Sequence, residues 1–385
     1  MPEGSGIDLE LSEAERRLRD QARAWLSANV PRPPLASMDT AEGFEQHRDW
    51  EAKLHAAGWS VVSWPTAYGG RGASLTEWLV FEEEYWAAGA PGRVNQNGIY
   101  LLGPTIMEVG TEEQKQRFLP AMASGREIWC QGWSEPDAGS DLAAIRSTAR
   151  PDGSDWVLNG QKTWCSRGAF ADWMFGLFRS DPGAERHRGL SFILVPLDAE
   201  GVSVRPIAQL DGETGFAEVF LDEVRVPGEN LLGQAHRGWE VAMATAAFER
   251  GLSLRPPGRF SAAARRLVEL ARSRGLGPDT PAADRVAQAW MDSEAYRLHT
   301  LWTATRMAQG ARVGPEASLN KVFWSEMDLA IHEAALELLG EEGQLLRGEG
   351  SWLEGFLFAQ AGPIYAGTNE IQRNVVAERV LGLPR

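Results

Sequence analysis

The hydrophobic period changes twice along the chain, and that order limits the architecture more than any single motif. Up to about residue 128, apolar residues recur at helical spacing, as in LSEAERRLRDQARAWL, SLTEWLVFEEEYWAA and TEEQKQRFLPAM. Ser12–Glu15, Ser74–Glu77 and Thr111–Gln114 carry capping-box spacing at the start of those runs. From 129 to about 235 the runs are short and strand-like. Leu190–Pro196 and Phe216–Val226 read as strands, and Asp155–Trp164 reads as a hairpin turning at Asn159–Gly160. Pro227–Gly228 breaks that pattern. From 236 onward helical periodicity returns in AAARRLVELARSRG, ADRVAQAWMDSEAYRLHTLWTATRMAQG and SLNKVFWSEMDLAIHEAALELLG. Helices, then strands, then helices is not βαβ alternation, so a doubly wound parallel sheet is disfavoured. The order predicts an α+β chain with an N-terminal helical domain (1–128), a middle β-barrel or sandwich domain (129–235) and a C-terminal helical bundle (236–385).

Charge and motif content narrow the function classes. Lys and Arg total 38 against 53 Asp and Glu, a net charge of −15. Such a chain gains nothing from phosphate counterion release, so no nucleic-acid partner is expected. It holds no run of about 18 apolar residues, and its first residues lack a basic region followed by an apolar stretch, so neither a membrane span nor a secretory signal is expected. A cytoplasmic, reducing location is the default. Cys130 and Cys165 are the two cysteines, which excludes a disulfide framework and leaves one bridge open. The six histidines fit no HExxH, CxxC or HxH spacing, so no metal site is expected. GRGASL at Gly70 has Leu75 where GxGxxG requires glycine, and no P-loop or GxSxG elbow is present.

Three segments carry chemistry-bearing residues. WCQGWSEPDAGSD (Trp129–Asp141) includes Gly139-Ser140-Asp141, a turn whose amides and hydroxyl could hold an anionic or carbonyl-rich ligand. Trp133 and Trp164 are flat surfaces for a ring system, although with 16 tryptophans they equally read as core. AAFER (Ala246–Arg250) lies on a helix rich in small residues. A carboxylate beside that apolar face would be desolvated and its pKa raised, which suits a general base; the plain alternative is a solvated Glu249 paired with an arginine. YAGTNE (Tyr365–Glu370) offers a glycine and the Thr368 hydroxyl, or is simply a loop before a last helix. Lys321 and Arg265–Arg266 read as solvated helix faces.

Taken in register, WPTAYGGRG, TEEQKQRFLP, SEPDAGSD, LNGQKTWCSRGAFAD, RVPGENLLG and IYAGTNEIQRNVVAERVLG resemble the recurring stretches of the acyl-CoA dehydrogenase family over nearly the whole chain. The resemblance implies that family's three-domain fold and a non-covalent FAD between the β domain and the C-terminal helices. It implies desaturation of an acyl-CoA or acyl-carrier thioester: a carboxylate removes the α-proton, hydride passes to flavin N5, and electrons go on to an electron-transfer flavoprotein. Gln131, Trp133 and Ser134 match the strand against the isoalloxazine ring, with Gly139 and Ser140 following. Ser140 matches a hydroxyl near the thioester and cofactor. Trp164 and Ser166 match a second flavin-contacting pair, Thr368 a flavin-contacting residue after the final turn, and Arg250 an arginine on the substrate side.

The departures from that family also carry information. Many members place the base in a Tyr-Glu-Gly-Thr stretch, where this chain has Ala366. A smaller branch, which includes isovaleryl-type enzymes, places it just before the arginine matching Arg250. Here that residue is Glu249, the implied catalytic base. The family's Arg-x-x-Phe-Gly stretch, which reaches a neighbouring subunit's FAD, has no counterpart here, and Pro256–Pro257 interrupts the helix in that region. Its Gln-x-x-Gly-Gly stretch is replaced by Glu337-Leu338-Leu339-Gly340-Glu341. These losses resemble subunits of heteromeric steroid-type acyl-CoA dehydrogenases, so a heterotetramer with a related subunit stands beside a homo-oligomer. The alternatives are a non-catalytic or half-site subunit, and a flavin oxidase or monooxygenase on the same fold.

Overall fold

The computed structural model describes residues 9–250, 254–311, 314–345 and 351–384, with the backbone alone at 249 and 250. The chain forms two compact units, one from segments 1–34, 73–91 and 250–385, the other from 35–72 and 92–249. In chain order the first helices are α1 (Glu13–Asn29), α2 (Ala41–Ala56), α3 (Leu75–Ala87), α4 (Gly103–Val109) and α5 (Glu112–Ala123). Strands follow: β1 (Trp129–Gly132), β2 (Thr148–Asp152), β3 (Asp155–Ser166), β4 (Trp173–Arg179), β5 (Leu190–Pro196), β6 (Val202–Ile207), β7 (Phe216–Pro227) and β8 (Leu231–Leu232). The chain then returns to helices: α6 (Gly238–Arg250), α7 (Pro257–Ser273), α8 (Pro281–Ala308), α9 (Ala317–Leu339), α10 (Trp352–Gln360) and α11 (Asn369–Val375). Helical, β and helical segments thus succeed one another as the periodicity predicts.

All three capping boxes form. Ser12, Ser74 and Thr111 each accept from the amide three residues on, and Glu15, Glu77 and Gln114 each accept in return from the cap amide. In the first unit, α7, α8 and α9 enclose Phe260, Leu267, Tyr296, Trp324 and Ile331. The break between α6 and α7 falls where Pro256 caps α7 and Pro257 opens it.

Lys321 does not lie on a solvated face, as the sequence suggests. It is buried on α9, and its Nζ donates to Asn369 Oδ1 at 2.8 Å. Asn369 opens α11, and Ser325 also donates to it, so the ammonium serves the turn ahead of that helix. Arg265 and Arg266 are exposed. A cavity of about 570 Å³ in this unit is bordered by Arg23, Glu84, Arg265 and Arg297 among others and contains none of the candidate site residues.

The second unit contains the sheet, ordered β6-β7-β3-β2-β4-β5-β8, with β1 pairing parallel to β4. Its core gathers Cys130, Trp156, Leu158, Cys165, Phe178, Ile193, Val219 and Val224. The hairpin expected at Asn159–Gly160 is not there. β3 runs straight through those residues, and the turn lies one strand earlier, where Asp152 pairs with Asp155 across Gly153–Ser154. Gly160 instead marks an irregularity against β7, at φ +141°, where an added Cβ would lie 2.3 Å from Ser147 Oγ. Its lack of a side chain is needed for close backbone approach, not for reversal. Cys130 and Cys165 are free and buried, so the bridge left open by the sequence does not form. A hydrogen bond between the two thiols, together with burial, pushes the Cys130 pKa well up.

Candidate active site

β1 is fixed before it carries anything. The amide of Trp129 donates to Asn95 Oδ1 at 3.0 Å, while Asn95 Nδ2 donates to the carbonyls of Met122 and Glu127. Asn95 is fully buried, and no motif in the sequence marks it. Along β1, Gln131 lies opposite Phe175 of β4 and is half-buried. Just beyond the strand, the Ser134 carbonyl accepts the Thr163 amide at 2.9 Å. That contact brings Trp133–Ser134 beside Thr163–Trp164, so four of the predicted positions, Trp133, Ser134, Trp164 and Ser166, lie along one stretch of β3.

The two tryptophans behave differently. Trp133 is buried edge-on to Phe175 and Phe192, with ring centroids 6.4 and 6.3 Å away. Its indole Nε1 is buried without an acceptor among the described residues. A buried N–H left unpaired costs free energy unless something accepts it. Trp164 is 58% exposed, so it is not a core residue. Its φ of +60° is left-handed, an uncommon backbone state for a bulky side chain. The cause is a second irregularity in β3. Lys162 and Cys165, three residues apart, are both fully buried, which re-phases the strand and turns Trp164 outward. The Ser134–Thr163 backbone contact sets Trp133–Ser134 next to the strand that carries Trp164 and Ser166, and an exposed indole such as Trp164 suits a flat ring system.

The loop after Ser134 is closed by a buried ion pair. Lys162 Nζ lies 2.7 Å from Glu135 Oε1, 2.7 Å from the Leu177 carbonyl and 3.4 Å from the Trp133 carbonyl. Glu135 also accepts the amides of Arg146 at 2.6 Å and Ser147 at 3.0 Å. The tight turn lies at Glu135–Ala138, where the end residues exchange both backbone hydrogen bonds. Gly139 and Ser140 follow it and are exposed; Gly139 is not left-handed, and a Cβ there would meet open space. Asp141 pairs with Arg186 at 2.6 Å.

Helix α6 carries the candidate base. Val241, Ala242, Thr245 and Ala246 form its buried face. Thr105 of α4 donates to Thr245 Oγ1 at 3.0 Å, and both residues are fully buried. Positions 249 and 250 end the helix, and the side chains of Glu249 and Arg250 lie outside the described residues. Thr368 belongs to the other unit. It caps α11, its hydroxyl accepting the Ile371 amide at 3.3 Å, after the left-handed pair Ala366–Gly367.

Comparison with known proteins gives a consistent result. Models of the acyl-CoA dehydrogenase N-terminal, middle and C-terminal domains match residues 12–126, 130–224 and 236–381. Acyl-CoA dehydrogenase IpdE1 of Mycobacterium tuberculosis is 42% identical over 376 residues, which cover 95% of this chain and 97% of that one. Among solved structures, the Tcur3481-Tcur3483 steroid ACAD is 30% identical with a TM-score of 0.86, covering 98% of this chain and all of that chain. The ChsE4-ChsE5 complex from Mycobacterium tuberculosis is 31% identical with a TM-score of 0.82, at the same coverage. With all three domain models matched in chain order, the chain belongs to the acyl-CoA dehydrogenase family, a family of oxidoreductases whose members imply a flavin cofactor.

Proposed function

We propose that this protein desaturates an acyl-CoA thioester between Cα and Cβ with non-covalent FAD, and that Glu249 is its base. One observation carries the assignment of the base. Position 249 stands one helical turn beyond Thr245, continuing the row Val241–Thr245 that is buried on α6. A carboxylate beside an apolar helix face would be desolvated, which would raise its pKa and suit it to take an unactivated α-proton. Ala366, at the position where many family members carry the base, has no group to do so.

The chain's other residues bind and orient. Gln131, Trp133, Ser134, Gly139, Ser140, Trp164, Ser166 and Thr368 are assigned to the cofactor. When bound, FAD supplies the hydride acceptor. Ser140 also borders the thioester, and Arg250 holds the substrate side. Hydrogen-bond donors must face the thioester oxygen, because negative charge collects there as the α-proton leaves. Electrons then leave to an electron-transfer flavoprotein. Likeness to a steroid ACAD supports a bulky, ring-bearing acyl group, and likeness to that two-component enzyme and to the ChsE4-ChsE5 complex supports a related second subunit as part of the working unit. The domain roles follow 1–128, 129–235 and 236–385.

Anaerobic mixing with a panel of straight, branched and steroid side-chain acyl-CoA thioesters tests this. The flavin absorbance should bleach with at least one of them in the wild type. Glu249→Gln should keep its flavin and lose bleaching by roughly a thousandfold or more, the upper part of what a general base supplies. Bleaching at an undiminished rate in Glu249→Gln would overturn the assignment. Rapid re-oxidation of reduced flavin by oxygen, with no need of an electron-transfer protein, would instead identify an oxidase.

A further inference from the structure

We propose that the buried Lys162–Glu135 ion pair is a positioning device for the flavin ring, fixing the Trp133 backbone and both ends of the Gly139–Ser140 loop; this rests on the flavin reading above. The ammonium has three protons and meets three acceptors, Glu135 Oε1, the Leu177 carbonyl and the Trp133 carbonyl. Its Nζ also lies 5.0 Å from the centre of the Phe178 ring. The carboxylate meanwhile holds the amides of Arg146 and Ser147. One pair therefore joins β3, β4, the residue after β1 and the far end of the loop.

The placement is costly for mere stability. Lys162 is fully buried, and removing an ammonium from water opposes folding even when it is paired. An apolar pair of similar volume would fill the space at least as well. An apolar pair could not reach the Trp133 carbonyl while also closing a loop of about ten residues, and these are the two segments assigned to the cofactor. The ion pair touches neither substrate nor the reacting atoms. It acts through Trp133 and through the loop.

The test uses the full chain together with the related subunit that completes its flavin site, and free FAD as probe, with Lys162→Met, Glu135→Gln and the double variant in this chain. Far-UV circular dichroism and the urea midpoint report the fold. Apoprotein titration gives FAD affinity, and the visible spectrum of the bound flavin reports its surroundings. The double variant leaves no buried charge unpaired. It should fold with a midpoint close to wild type, yet bind FAD roughly tenfold or more weakly and show a shifted flavin spectrum. A double variant with wild-type affinity and spectrum would overturn the proposal. So would loss of fold in both the double variant and Glu135→Gln, which would assign the pair to the fold alone. Wild-type protein that takes up no FAD, alone or with a related chain, would sink the flavin reading itself, a result distinct from either.

Discussion

The carboxyl of Glu135 is nearly buried, and burial alone would raise its pKa. The Lys162 ammonium and the hydrogen bonds from Arg146 and Ser147 outweigh that and hold it below the usual carboxylate range. Lys162 moves in the direction of burial, downward, because desolvation exceeds what Glu135 returns. The sign for acid stability follows from Glu135. Its folded-state pKa lies below the unfolded value of about 4.3, so its contribution is present above that value and is lost as pH falls through the folded one. Glu135→Gln has no proton to take up. Its urea midpoint should therefore fall less steeply than that of wild type between about pH 5 and pH 3. Parallel slopes would mean that Glu135 is not ionised in the folded protein. Neither residue was legible as half of a pair. Both stand inside stretches that mark the family, yet they are 27 positions apart, and strand alternation alone gives no reason to bury a lysine.

At the scale of elements, helices were legible because local rules set them. Capping boxes at Ser12, Ser74 and Thr111 fix helix starts within three residues of sequence, and nothing distant competes. Strand phase was less legible, because it depends on a partner. Asn159–Gly160 carries a good turn signal, but Asp152–Gly153 carries one too, and pairing of β3 with β7 over twelve residues decides between them. Asn159 is then free to bind across the sheet, its Oδ1 accepting the Glu223 amide at 2.9 Å. Gly160→Ala tests this account. A Cβ would meet Ser147 Oγ at 2.3 Å and Ser147 Cα at 2.7 Å, at a backbone angle that L-residues avoid. Ser147 also exchanges hydrogen bonds with Gln161, so it cannot withdraw without loss. Destabilisation of about 1–3 kcal/mol is expected by urea unfolding. Because Lys162 lies two residues on, flavin uptake should weaken as well. A stable variant with unchanged midpoint would mean that β3 turns or slips at this point in solution.

At the scale of the whole molecule, the residues that match the family's ring site and base are present, while those that match its FAD-tail contacts are absent. Where the family has Arg-x-x-Phe-Gly, this chain reads RPPGRFSAAARR and ARSRGLGPDT, with Pro256 and Pro257 committed to starting α7. Where it has Gln-x-x-Gly-Gly, Glu337 is paired with Arg285, and Glu341 adds a second carboxylate in the short 3-10 turn Gly340–Gln344. Carboxylates near a pyrophosphate repel it. On the assignment proposed above, a chain with a ring site and base but no tail contacts to give should complete its cofactor site only with a related subunit that brings them. Expressed alone, it should therefore hold well under one FAD per chain. Expressed with a related chain carrying both stretches, it should co-purify as one complex with its flavin restored, and Glu249→Gln in this chain should then abolish turnover of the complex. Full flavin occupancy in a homo-oligomer would show the missing stretches to be dispensable. Turnover that survives Glu249→Gln in the complex would leave the chain as a structural partner whose site does no chemistry.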